Sequence, residues 1–281
     1  MMRLTDVAIL SVIQGITEFL PISSSGHLVL AQTYLGLKEV PVLFDLILHL
    51  GTACATALVY YRLIGDIFRD LGLWVIKSGD ERRVVLKRGN VKLAGYIAIS
   101  TACTAILGLL FKDTIKSFFY KPLSVSFLLF LTGIILLITR FVQNRGKQIG
   151  DTAIHAPLIV GSAQAFAMLP GISRSGTTIS TGLYLGMERS FAGSYSFLMS
   201  IPSILGASIV EVAQSGNALL RISDEQSPLM LSVTGFLLSL FTGYFALRFL
   251  LSFLRKGKLY TFAYYCFAVA VISGVLTNVY Y

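Results

Sequence analysis

The feature that most constrains this chain is the length of its apolar runs. Six stretches, 42–61, 92–111, 123–141, 193–212, 230–250 and 259–279, run for about 20 residues with almost no charge, the length an α-helix needs to cross about 30 Å of hydrocarbon. Composition agrees. Of the 281 residues 55% are hydrophobic and 13% charged, with a mean hydropathy of +0.76, whereas a soluble domain carries about 25% charge. A water-soluble enzyme, a disordered tail and a nucleic-acid-binding module are all excluded, and no nucleic-acid partner is expected. The net charge of +9 becomes a topology signal, to be read loop by loop.

The segment 62–92 carries Arg62, Arg69, Lys77, Arg82, Arg83, Lys87, Arg88 and Lys92, which places it in the cytoplasm. Alternation then puts 112–122 and 213–229 outside and 142–153 and 251–258 inside. Of the 23 basic residues, Arg3, Lys38, Lys112, Lys116, Lys121 and Arg221 fall outside, Arg174 falls within the membrane, and the rest lie on the cytoplasmic side. Both termini come out on the outer side. The segment 62–92 also holds Asp66, Asp70, Asp80 and Glu81; it is expected to be a solvated loop, with a surface helix as the alternative. Cys54, Cys103 and Cys266 lie inside apolar runs and form neither a metal spacing nor a disulfide framework. Asp6, Gln14 and Glu18 interrupt the first apolar stretch and no A-x-A site follows, so it does not read as a cleavable signal.

Two further apolar stretches, 7–36 and 154–187, are broken by Pro21-Ile-Ser-Ser-Ser-Gly-His27 and by Pro170-Gly-Ile-Ser-Arg-Ser-Gly176. Non-helical backbone at membrane depth persists only where protein or a watery cavity satisfies its polar groups, so both stretches read as re-entrant helix–loop–helix hairpins. They align without a gap: Gln14 falls on Gln164, Ile22 on Ile172, Ser23 on Ser173, Ser25 on Ser175 and Gly26 on Gly176. Chance would give about one identity over that length. Each hairpin is followed by three spans, an odd number, which inverts the second copy. The expected fold is therefore a single all-α integral membrane domain, 1–281. Six transmembrane helices and two re-entrant hairpins form an inverted-topology repeat, 1–141 and 154–281. Paired broken helices place a site where the breaks meet, near the midplane.

The first break offers Glu18, Ser23, Ser24, Ser25, Gly26 and His27; the second offers Ser173, Arg174, Ser175, Gly176, Thr177 and Thr178. An arginine in the membrane interior calls for an anionic partner, here Glu18 or a bound phosphate. Ser/Gly loops opening a helix expose backbone N–H groups at its positive end, which favours anions. With a guanidinium fork they form a phosphate cradle of Ser23, Ser25, Gly26, Ser173, Ser175, Gly176 and Thr178. Ser24 and His27 are three apart at a helix start and can share a face, as can Arg174 and Thr178 at a spacing of four. A nucleophile, a base, a cationic clamp and a carboxylate make up the inventory of phosphoryl transfer. Glu18 suits either acid–base work or ligation of a divalent cation, Mg2+ or Ca2+, with Gln14 one turn earlier in support through its amide oxygen. Asp45 and His49, four apart, either line the entrance or form a plain hydrogen-bonded pair near the interface, and His155 is placed at the mouth of the second hairpin.

Gln14-Gly-Ile-Thr-Glu18-Phe-Leu-Pro-Ile-Ser-Ser24-Ser-Gly-His27 resembles the (E/Q)-x-x-x-E motif and downstream Ser-Gly-His of the bacterial undecaprenyl-pyrophosphate phosphatases, the bacitracin-resistance phosphatases. Pro170-Gly-Ile-Ser-Arg174-Ser-Gly-Thr-Thr178 is similar to the family's P-G-x-S-R-S-x-x-T. The resemblance extends over the whole chain in length, span pattern and motif order. It implies removal of the terminal phosphate from a polyprenyl pyrophosphate at the outer face of the bacterial cytoplasmic membrane, recycling the carrier for peptidoglycan synthesis. It further implies a dependence on divalent metal and catalytic roles for Glu18, Ser24, His27 and Arg174. Gln14 stands where many members carry a second Glu. The expected partners are the polyprenyl pyrophosphate and the membrane lipids, with a homodimer as an option. A lipid-carrier flippase or transporter would share the inverted repeat but release no phosphate. An intramembrane serine hydrolase would use Ser24 and His27 without needing Arg174.

Overall fold

The computed structural model describes residues 3–37, 40, 42–143, 146–215 and 228–280. Most of the expected outer loop 213–229, and with it Arg221, lies outside the described residues, as does Lys38. The regular secondary structure of the described residues is helical, apart from one isolated bridge between Lys147 and Met187. Its helices are α1 (Leu4–Phe19), α2 (Ser24–Tyr34), α3 (Val42–Val59), α4 (Tyr61–Ile76), α5 (Gly79–Lys87), α6 (Asn90–Leu110) and α7 (Lys112–Phe119). They continue as α8 (Pro122–Ile138), α9 (Ala156–Phe166), α10 (Arg174–Tyr184), α11 (Arg189–Ser215), α12 (Pro228–Arg255) and α13 (Phe262–Tyr280).

Five helices, α6, α8, α11, α12 and α13, are long and apolar enough to cross a membrane, and a sixth span exists if α3 and α4 are taken together. The expected span 42–61 corresponds to α3, which ends at Val59; the chain then bends by 75° and continues as α4. Segment 62–92 is thus not the solvated loop expected above but two helices, α4 and α5. The reading failed there because a run rich in Arg and Asp hides an apolar face at helical spacing. The expected outer loop 112–122 likewise contains the short helix α7.

The two broken stretches form short helix pairs. α1 meets α2 at a corner over Leu20–Ser23, and α9 meets α10 over Ala167–Ser173. α2, α9 and α10 have 11 residues each, about 16 Å of helix, half of what a crossing needs. Packing crosses between the halves: α1 lies on α12, α9 lies on α6, and α8 lies on α13. Lipid is as apolar as leucine, so helices in a membrane associate through close packing of small residues. A Cβ on Gly161 would sit 2.6 Å from the Ser100 carbonyl oxygen, and one on Gly51 would sit 2.6 Å from the Phe236 carbonyl oxygen. Those close approaches seat α9 on α6 and α3 on α12, and α1 packs on the same α12.

Candidate active site

The two corners touch. Ser23, at the start of α2, accepts a hydrogen bond on Oγ from the Gly26 N–H at 3.2 Å; Ser173, at the start of α10, accepts one from the Gly176 N–H at 3.0 Å. These are duplicate N-caps. The Gly171 N–H donates to Ser23 Oγ at 3.2 Å, and Ser175 Oγ donates to the Leu20 carbonyl at 3.4 Å, tying each corner to the other. Thr132 of α8 pins the second corner, donating to the Gly171 carbonyl at 2.8 Å and accepting from the Ser173 N–H at 3.0 Å. Ser23 adopts φ 70°, the sole positive φ outside glycine among the described residues. Such strain costs about 1–3 kcal/mol and persists only where surroundings over-determine it, as the hydrogen bonds to Gly26 and Gly171 do.

Glu18, at the end of α1, is the centre of the polar contacts. Its Oε1 accepts from Arg174 Nη2 at 2.5 Å. Its Oε2 accepts from Ser24 Oγ at 2.6 Å and from Gln14 Nε2 at 3.0 Å, and His49 Nε2 lies 3.7 Å away. The Glu18 side chain is 6% exposed and that of Arg174 17%, so the pair is shielded from water. Arg174 Nη1 also reaches the Ser196 carbonyl at 3.5 Å. Thr178 Oγ1 donates to the Arg174 carbonyl at 2.8 Å and shares a 2.6 Å hydrogen bond with Ser196 Oγ.

Three sequence expectations need correction. His27 does not bond Ser24: its Nδ1 lies 2.8 Å from the Ser23 carbonyl, its Nε2 lies 2.9 Å from the Tyr265 hydroxyl, and its ring stacks on Tyr265. A carbonyl accepts only, so Nδ1 carries the proton and Tyr265 donates to Nε2. The group that Ser24 Oγ does meet is the Glu18 carboxylate. Second, Gln14 meets Glu18 through its amide nitrogen; its Oε1 is buried with no partner. Third, the Gly26 and Gly176 N–H groups are spent on the caps, so the N–H groups of the first helical turn that stay open are those of Ser24, Ser25, Arg174 and Ser175.

The structure brings together Gln14, Glu18, Ser24 and Arg174 and adds His49, whose Nδ1 contacts the Asp45 carbonyl at 2.7 Å; Asp45 itself accepts from Gln32 at 3.2 Å. His155 sits exposed at the start of α9, away from the others. Tyr265, Ser196 and Thr132 carried no signal in the sequence, since each reaches the corners from a distant helix. Among the described residues no group of three or more His, Cys, Asp or Glu could hold a metal ion. The protein's donors are one carboxylate and the unpaired Gln14 oxygen. That set is too small for a closed cage and would hold a divalent cation only together with oxygens from other ligands.

Residues 7–272 match the family model described as bacitracin resistance protein BacA. The chain is 39% identical over 275 residues to the undecaprenyl-diphosphatase of Desulforapulum autotrophicum, covering 97% of this chain and 98% of that protein. It is 37% identical over 279 residues to the undecaprenyl-diphosphatase of Halothermothrix orenii, covering 99% and 100%. The match to the undecaprenyl-diphosphatase of Carboxydothermus hydrogenoformans is 40% over 270 residues, covering 95% of each.

Proposed function

Because the chain belongs to the bacitracin resistance protein BacA family, we propose that it is a membrane phosphatase that hydrolyses undecaprenyl pyrophosphate to undecaprenyl phosphate and inorganic phosphate. The observation that carries this reading is the junction of Ser24 and Arg174 on the two oxygens of Glu18: one carboxylate joins a nucleophile from the first corner to a phosphate clamp from the second.

In this reading Glu18 takes the Ser24 proton while Ser24 Oγ attacks the terminal phosphorus in line. The Oγ–P bond forms, the bridging P–O bond breaks, and the lipid monophosphate leaves. The Arg174 guanidinium and the open N–H groups of Ser24, Ser25, Arg174 and Ser175 hold the equatorial oxygens. They are preorganised, so they stabilise charge where it develops without reorganising. Water then attacks the phosphoserine, the P–Oγ bond breaks, and inorganic phosphate departs with the proton returned through Glu18. Ser23, Ser173 and Thr178 hold the corners in shape, and His27 is oriented by the Ser23 carbonyl and the Tyr265 hydroxyl. A divalent cation bound with the substrate would rest on Glu18 and Gln14 and neutralise pyrophosphate charge.

The finer topology belongs to the same reading. Two re-entrant hairpins and six spans form an inverted repeat, 1–141 and 154–281, supported by the duplicate Ser23 and Ser173 caps and by the crossed packing of α1 on α12 and α9 on α6. The basic bias supports a site opening toward the outer face of the cytoplasmic membrane, with both termini outside. The product is a lipid carrier, so the activity recycles that carrier for cell-wall synthesis and confers bacitracin resistance. The test is phosphate release by purified protein given polyprenyl pyrophosphate, with and without chelator. Release of phosphate is expected; transfer of intact pyrophosphate across vesicles without release would establish the flippase instead.

A further inference from the structure

We propose that α4 and α5 form a docking surface for the anionic headgroups of membrane phospholipids, separate from the candidate phosphatase site. At about 100° per residue, α4 divides into three sectors. Tyr61, Gly65, Phe68, Gly72, Val75 and Ile76 make one; Arg62, Asp66, Arg69 and Leu73 make the second; Leu63, Ile64, Ile67, Asp70, Leu71 and Trp74 make the third. The third faces the protein: Ile67 and Asp70 are buried, and Leu63 and Leu71 pack on the core. The first faces away from it, with Phe68 70% exposed, Val75 74% and Ile76 78%, and open space above Gly65 and Gly72.

Exposed large apolar side chains in such a row require a cover. The 75° bend after α3 turns α4 away from the direction of the span, into the attitude of an interfacial helix. There an apolar stripe enters the acyl layer and a charged edge meets the headgroups. Asp70 fixes that attitude: Arg88 at the end of α5 donates to it at 2.8 Å, and Asn90 at the start of α6 does so at 2.8 Å. The charge along this surface favours anions. Arg69, Lys77 and Arg83 are paired with Asp66, Glu81 and Asp80. Arg62 meets its neighbour Tyr61, Arg82 lies 4.4 Å over the Trp74 ring, and among the described residues neither these two nor Lys87 forms an ion pair with an acidic side chain. Those three cations are available to lipid phosphates, an attraction that falls off within a Debye length of the surface.

Trp74 is the single tryptophan of the chain, half-buried near the end of α4 with the Arg82 guanidinium over its ring, so its fluorescence reports on the lipid beside that end of α4. The full-length protein is reconstituted in phosphatidylcholine vesicles in which a fixed fraction of lipid is brominated high on the acyl chain. That fraction is either phosphatidylglycerol or phosphatidylcholine. Brominated phosphatidylglycerol is expected to quench Trp74 about twofold more than brominated phosphatidylcholine. The excess should vanish in the Arg62→Gln/Lys87→Gln double variant and persist in Lys258→Gln, an exposed lysine elsewhere. Arg82 is left in place because its guanidinium touches the reporter. Phosphate release by both variants checks that they fold. Equal quenching by the two lipids would overturn the anionic preference. Absence of quenching, with Phe68→Cys cross-linking between copies, would assign the stripe to a second copy of the chain instead.

Discussion

Glu18 and Arg174, 156 positions apart, meet at 2.5 Å, and the same carboxylate holds Ser24 at 2.6 Å through its other oxygen. The pair joins the two broken stretches, α1–α2 and α9–α10, at their corners. A buried pair broken from one side leaves the other charge uncompensated, at about 3–5 kcal/mol. Glu18→Gln is therefore expected both to destabilise the protein and to abolish phosphate release. Arg174→Lys keeps the charge but lacks the planar fork. It should fold and insert while losing about 10²–10³-fold in kcat. Near-normal phosphate release by the lysine variant would remove Arg174 from the clamp.

Gly26 marks how closely the corners approach. A Cβ there would lie 2.9 Å from the Gly171 Cα and 3.1 Å from its nitrogen. Backbone cannot yield as a flexible side chain does, so Gly26→Ala should drive the corners apart and lower activity at least about tenfold, with a stability loss of about 1–3 kcal/mol. Gly65→Ala is the matched control. It sits in α4 with nothing within 4 Å and should gain up to about 1 kcal/mol of helix propensity. Melting temperatures of the two variants in detergent, alongside their turnover, decide the matter; similar behaviour of both would show that the corner contact is dispensable.

Much of this site was legible in the sequence because its key groups are local. The run Ser23 to His27 and its echo Ser173 to Thr177 marked two breaks that open a helix, and Glu18 lies one corner away from Ser24. What the sequence did not disclose was set by tertiary placement. His27 and Ser24 are three residues apart, yet Tyr265 from the last helix claims His27 and Glu18 claims Ser24. The helical nature of 61–87 was obscured by its charges, because Asp70 looks like a surface residue until Arg88 and Asn90 close over it.

Asp70 also gives a pH test. Burial pushes its carboxyl up, but the hydrogen bonds from Asn90 and Arg88 and the charges of Arg88 and Arg69 outweigh that and hold its pKa below the ordinary value. A depressed carboxyl contributes stability that is fully present above its unfolded pKa, about 3.9, and is lost as pH falls through the folded value. Asp70→Asn should thus melt lower than the wild type at pH 7, and the two curves should converge as pH falls below about 4. Parallel curves across that range would show that the cage adds nothing.

Orientation is tested by single cysteines in a background without Cys54, Cys103 and Cys266. Residues 79–90 belong to the basic segment and are expected to resist a membrane-impermeant thiol reagent in intact cells, whereas positions 216–226 should react. Labelling at 79–90 would reverse the topology and with it the outward opening of the site.

The nucleophile can be identified by what it leaves behind. Ser24 Oγ has a carboxylate at 2.6 Å to take its proton and stands at the positive end of α2, where an oxygen nucleophile is activated. His27 has both ring nitrogens engaged, by the Ser23 carbonyl and the Tyr265 hydroxyl, so attack by its Nε2 would require the Tyr265 bond to break first. A phosphoserine survives acid, whereas a phosphohistidine does not. Rapid quenching with labelled substrate followed by acid treatment should leave label on the peptide containing Ser24, and Ser24→Ala should abolish it. Tyr265→Phe frees His27 Nε2 and separates the two routes further. If Ser24 attacks, the variant alters orientation and lowers turnover modestly; if His27 attacks, losing a competing hydrogen bond should raise the rate of label capture. Label that is lost in acid but kept in base would transfer the role to His27. No label under conditions that trap an intermediate would leave direct attack by water, with Glu18 as its base and Ser24 only a donor to the phosphate.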